Sequence, residues 1–164
     1  MRFKFFSIFA AALLLAACAS ETEESGLQVG EGATTEAPTM PEPTPELSLQ
    51  EDLAINVGDR IFFGFDRSDL TGESQATLQK LAAWMTSRPT VTITLEGHCD
   101  ERGTREYNLA LGERRANSAR DYLIALGVDG GRINTISYGK ERPAVLGSNE
   151  DAWAQNRRDV FVVN

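Results

Sequence analysis

The chain has 164 residues, a formal net charge of −8, two cysteines and one histidine, room for one ordinary domain and a tail. Seven Glu fall within residues 19–46; setting them aside, with Arg2 and Lys4, leaves 17 acidic and 14 basic residues from Leu47 onward, a net of −3. With no basic stripe the sequence argues against a nucleic-acid partner, and so few cysteines and histidines argue against a disulfide framework or a tetrahedral metal site.

The chain opens with Arg2 and Lys4, followed by an apolar run from Phe5 to Ala17 that is short for a bilayer span. A positive start, a short apolar core and the small residues Ala16 and Ala17 predict a secretory signal over residues 1–17. Leu15-Ala16-Ala17-Cys18 resembles the lipobox of bacterial lipoproteins, which implies that Cys18 becomes the acylated first residue of the mature chain. Ala19, where Asp would be the inner-membrane signal of enterobacterial lipoproteins, implies sorting to the outer membrane. Several acyl chains on one residue anchor stably where a single chain is marginal. A lipidated Cys18 leaves Cys99 without a partner in its own chain.

Residues 19–46 are rich in Glu, Thr, Gly and Pro and hold no aromatic residue. Such a segment cannot bury enough apolar surface to offset its ordering entropy, so a disordered linker is expected over 18–46. Pro38, Pro41, Pro43 and Pro45 stiffen its end, and fully stretched it reaches on the order of 90 Å. No later run is long or apolar enough for a transmembrane helix.

Residues 47–164 read as one domain. Arg60–Phe65 (RIFFGF) is predicted as a strand. Thr71–Ser87 follows as a helix capped by Thr71 or Ser74, with Leu78, Leu81, Ala82 and Met85 on one face, stopped at Arg88-Pro89. Val91–Gly97 alternates, with Val91, Ile93 and Leu95 on one side. Gly103-Thr104 leads into a long helix, about Arg105 to Leu126, closed by Gly127. A strand over Arg132–Tyr138, a short helical turn near Asp151–Gln155 and a last strand over Asp159–Val163 complete the order.

The stretch Glu96–Ala116, EGHCDERGTREYNLALGERRA, places Asp100 in a Gly-containing loop after a strand and Arg115 well inside the next helix. A carboxylate and a guanidinium presented together grip a ligand carrying both an ammonium and a carboxylate, an amino-acid-like zwitterion. Asp100 alternatively caps a turn, and Arg115 alternatively pairs with Glu113 or Asp121 on a solvated face. His98 and Cys99, as neighbours in a strand, point to opposite faces, and Cys99 continues the apolar side as a small hydrophobe. No Ser-His-Asp arrangement or Gly-rich phosphate loop is evident. A binding protein is expected, with no catalytic residue, metal or cofactor.

Asn108-x-x-Leu111-Gly112-x-x-Arg115-Ala116 resembles the peptidoglycan-binding motif of OmpA-like domains, with Gly112 in place of the usual Ser. With GHCDERGTREYN before it, LGERRAN around it, and Tyr138–Pro143 and Asn156-Arg157-Arg158 after it, the chain from about residue 58 to 164 resembles the peptidoglycan-associated lipoprotein family of the Tol–Pal system. Cys99 departs from the pattern, since relatives commonly carry Ala or Thr there. The resemblance implies an α+β domain, a β-α-β-α-β-β mixed sheet with helices packed on one face. It implies non-covalent binding of meso-diaminopimelate in the peptidoglycan stem peptide, with Asp100 on the ammonium and Arg115 on the carboxylate. Phe65 and Asp66 would lie close by, Asn108 and Leu111 would shape the same face, and Arg157 would line or support the pocket. The family further implies a tether between outer membrane and wall that supports envelope integrity and constriction in division. A TolB-like periplasmic protein would compete with peptidoglycan for the same face.

Overall fold

The computed structural model describes residues 47–164. The expected signal peptide, the lipidated Cys18 and the linker through Glu46 lie outside the described residues.

The domain begins with helix α1, Leu49–Asn56, which the sequence reading passed over. Ser48 and Glu51 form a capping box: the Ser48 hydroxyl accepts from the Glu51 N–H at 3.3 Å, and the Glu51 carboxylate accepts from the Ser48 N–H at 2.8 Å. Only Leu53 of this helix is buried, so it carries no apolar period to read.

Strand β1 covers Arg60–Phe62, half the predicted length. Phe63 still donates its N–H to the Arg157 carbonyl at 2.9 Å. The chain then turns away, with Asp66 at φ +54°, so Phe65 and Asp66 belong to a loop. Helix α2, Gly72–Thr86, is capped by Thr71, whose hydroxyl accepts from the Ser74 N–H at 3.1 Å. Strand β2 spans Ile93–His98 and helix α3 spans Arg105–Ala125, capped by Thr104. After a 3-10 turn come strand β3, Ile133–Gly139, helix α4, Glu150–Asn156, and strand β4, Arg158–Val163.

The strands lie in the order β1-β4-β2-β3. β2 and β3 are parallel, with α3 as the crossover between them, and β4 runs antiparallel to both of its neighbours. The pairing of Leu95 with Phe161 puts Ile93, Leu95 and Phe161 on one face. Leu78, Leu81 and Met85 of α2 and Ala116, Ala119 and Leu123 of α3 complete the same buried cluster. Each fully buried large side chain there stabilises by roughly 1.5–3 kcal/mol. Helices therefore pack on one face of a mixed sheet, the α+β arrangement expected.

α3 crosses β2 with almost no separation. A Cβ at Gly97 would overlap the Gly112 carbonyl, and one at Gly112 would overlap the Ser137 hydroxyl. That contact fixes how far along α3 Arg115 sits from the end of β2, where Asp100 begins the next loop.

Candidate functional site

At one end of the sheet the loop after β1, the loop after β2, the first half of α3 and the α4–β4 junction surround a pocket of about 160 Å3. All seven residues expected to form a site line it: Phe65 and Asp66 from the first loop, Asp100 from the second, Asn108, Leu111 and Arg115 from α3, and Arg157 from the junction. Cys99, Arg102, Gly103 and Tyr107 line it as well, and sequence reasoning missed Arg102 and Tyr107.

Arg115 is fully buried, which removes the alternative of a surface pair with Glu113 or Asp121. Its Nε donates to the Arg67 carbonyl at 2.8 Å, Nη1 to the His98 carbonyl at 2.8 Å and Nη2 to the Gly64 carbonyl at 3.1 Å. It thereby ties the loop after β1 to the end of β2. Nη1 also approaches Cys99 Sγ at 3.5 Å. Of the five N–H groups of a guanidinium, these bonds leave one, on Nη2, without a partner among the described residues.

Asp100 is also buried. Its Oδ2 accepts from Arg102 Nη2 at 2.6 Å and from Arg157 Nη1 at 3.3 Å, and its Oδ1 accepts from the Arg102 N–H at 3.2 Å. Asp100 closes its own turn, as the alternative reading has it, and its carboxylate also lines the pocket. Burial alone would raise its pKa, but hydrogen bonds from Arg102 and Arg157 outweigh burial and hold it below the ordinary 3.8. The carboxylate therefore stays charged at neutral pH.

The remaining side chains set the walls. Asn108 Nδ2 donates to the carbonyls of Arg102 at 2.8 Å and Thr104 at 3.0 Å, which shapes the loop after β2. Tyr107, in the first turn of α3, donates its hydroxyl to Asp66 Oδ1 and ties the loop after β1 to that helix. Leu111 is a buried apolar wall, and Phe65 stands exposed at the rim. Arg157 donates from Nε to the Phe63 carbonyl at 3.2 Å and from Nη2 to Glu150 Oε1 at 2.6 Å. The Arg102 Cζ lies over the rings of Phe65 and Trp153, at 4.1 and 4.0 Å from their centroids. Asp66, Asp100 and three arginines give the lining charges of both signs and make it cationic by one.

Cys99 is buried with its thiol donating to the Asn108 carbonyl at 3.3 Å. Burial pushes its pKa up to about 11, so it is not a nucleophile at neutral pH. His98 points away from the pocket into the other side of the sheet, where burial and the charge of Arg158 hold its pKa down at about 4. Among the described residues no group of three or more His, Cys, Asp or Glu is placed to hold a metal.

Comparison with known proteins places these features in a family. Residues 62–157 match the OmpA family. The chain is 48% identical over 155 residues to a protein named peptidoglycan-associated lipoprotein from Rhizobium meliloti, covering 92% of this chain and 82% of that one. A protein of the same name from Haemophilus influenzae is 50% identical over 101 residues, covering 62% and 66% of the two chains. Among solved structures, the peptidoglycan-associated lipoprotein of Burkholderia pseudomallei is 43% identical with a TM-score of 0.63, covering 65% of this chain and 90% of that one. The C-terminal domain of Helicobacter pylori MotB, at 19% identity and a TM-score of 0.61 over 65% of this chain and 84% of that one, shares the fold alone. With the motif residues gathered around one pocket and the match running over most of its length, the chain belongs to the OmpA family and, within it, to the peptidoglycan-associated lipoproteins.

Proposed function

We propose that this chain is an outer-membrane lipoprotein whose domain binds peptidoglycan without covalent attachment, gripping the ammonium- and carboxylate-bearing end of diaminopimelate in the stem peptide. The observation that carries the reading is the pocket: a buried, charged Asp100 faces a cavity walled by Arg102, Arg115 and Arg157 and by the apolar Leu111. Asp100 takes the ammonium. The ligand carboxylate takes the spare Nη2 N–H of Arg115 and the backbone N–H groups around Phe65 and Asp66. Each charge-assisted hydrogen bond contributes about 1.5–3 kcal/mol, so one grip is weak, roughly micromolar to millimolar. Many copies on one membrane facing a polymeric wall turn weak grips into a firm link by effective concentration.

Anchored through Cys18, the protein ties the outer membrane to the wall and acts in the Tol–Pal system during constriction. Similarity to the Tol–Pal lipoproteins adds a TolB-like partner that competes for the pocket face.

Purified wall sacculi spun with the unlipidated chain from residue 19 test the reading. The chain is expected in the pellet, and free meso-diaminopimelate is expected to release it. Asp100→Asn, with an unchanged melting temperature, is expected to lower binding about tenfold or more. Pelleting of Asp100→Asn at wild-type strength rejects the site, and failure of the unsubstituted chain to pellet rejects the function.

A further inference from the structure

Arg102 and Arg157 do not serve Asp100 alone. Arg157 Nη2 lies 2.6 Å from Glu150 Oε1, and Arg102 Nη1 lies 3.9 Å from Glu150 Oε2. With Arg102–Asp100 at 2.6 Å and Arg157–Asp100 at 3.3 Å, the four side chains close a ring of alternating charge. Glu150 sits on its outer side and is 63% exposed at the side chain, whereas Asp100 is 6% exposed. Between the two carboxylates the Arg102 Cζ lies over the rings of Phe65 and Trp153, which bound it on two sides and leave it between one carboxylate and the other.

We propose that Glu150 is a specificity-determining residue of the pocket, drawing Arg102 and Arg157 off Asp100 so that a ligand's ammonium can take that carboxylate. Two anions and two cations leave the ring neutral before the ligand arrives. Removing the Glu150 charge leaves two guanidiniums on one carboxylate, an excess positive charge where an ammonium must enter. Removing the Arg102 charge leaves an excess negative one. The inference rests on the zwitterion reading of the pocket and adds to it how the ammonium gains its place.

The test uses the unlipidated chain and two ligands: the tripeptide L-Ala-γ-D-Glu-meso-diaminopimelate and the same tripeptide acetylated on its side-chain ammonium. Glu150→Gln is expected to weaken the ammonium ligand by about tenfold and to change the acetylated ligand less than twofold. The double substitution Glu150→Gln with Arg102→Gln restores charge balance and is expected to recover most of the loss. A merely structural role predicts equal losses on both ligands and no recovery. Equal losses, or a selectivity that Glu150→Gln leaves intact, overturn the inference while the clamp stands. Equal binding of both ligands by the unsubstituted chain overturns the clamp and this inference with it.

Discussion

Arg115 is the side chain on which the pocket is built, because three carbonyls from two loops converge on its fork. It is also the opposite charge that acts on Asp159, a fully buried carboxyl on β4 with no side-chain hydrogen-bond partner among the described residues. Burial pushes the Asp159 pKa well up, and Arg115 pulls it back. Arg115→Met, which keeps the length and removes the donors, leaves those carbonyls and that carboxylate uncompensated. An expected loss of about 3–5 kcal/mol in urea denaturation follows; a loss below about 1 kcal/mol would show that the contacts are incidental. Loss of wall binding in an Arg115 variant therefore reports on the pocket's walls before it reports on a ligand contact. Asp100 and Arg115 were legible because both lie in one short stretch of sequence. Arg102 was within reach of the same reasoning, as an opposite charge two residues from Asp100 in one turn. Tyr107 bonding Asp66, 41 residues away, and Glu150 joining Arg102 and Arg157 had no local signal, since only the fold brings those elements together.

At the level of elements, the helices with caps and apolar faces were readable, and α2 and α3 fall within a residue or so of their expected bounds. β1 was overextended for a physical reason. Phe63-Gly64-Phe65 has strand-like composition, but Phe62 already pairs with Arg158, the first residue of β4; Phe63 makes one more bond, to the Arg157 carbonyl, and before Arg157 the partner segment is helix α4, which offers no strand to extend along. The crossing of α3 over β2 at Gly97 and Gly112 explains why this chain carries Gly112 where the motif it resembles usually has Ser. The Ser137 hydroxyl fills that space and donates to the Leu109 carbonyl at 2.7 Å. Gly97→Ala drives a methyl group into helix backbone that cannot yield. It is expected to destabilise by about 3 kcal/mol or more and to displace Arg115 relative to Asp100. Denaturant midpoints for Gly97→Ala check this, and an unchanged midpoint would mean that the helix lifts freely.

For the whole molecule, acid stability follows from His98. Glu96 Oε2 lies 3.8 Å from its Nε2, Tyr138 lies beside its ring, and Arg158, Arg142 and Arg60 surround it. Its pKa of about 4 in the fold, against the ordinary 6.5, means that the unfolded chain takes up a proton which the folded chain refuses between those values. The stability is complete above pH 6.5 and declines as pH falls toward 4, by roughly 3 kcal/mol. His98→Gln is expected to flatten that slope in melting curves between pH 4 and 7; a slope that persists unchanged assigns it to other groups. The two ends of β4 have a mechanical consequence. Its first neighbour, Arg157, stands in the pocket, while at its far end Gln50 of α1 accepts from the Val163 N–H at 2.9 Å and donates to the Phe161 carbonyl at 3.1 Å. A pull on the start of α1 enters the sheet through β1, the edge strand that follows α1 in the chain, and through the two Gln50 bonds to β4, and it is directed along the strands. The β1–β4 ladder is then loaded in shear, its bonds sharing the load rather than opening one at a time.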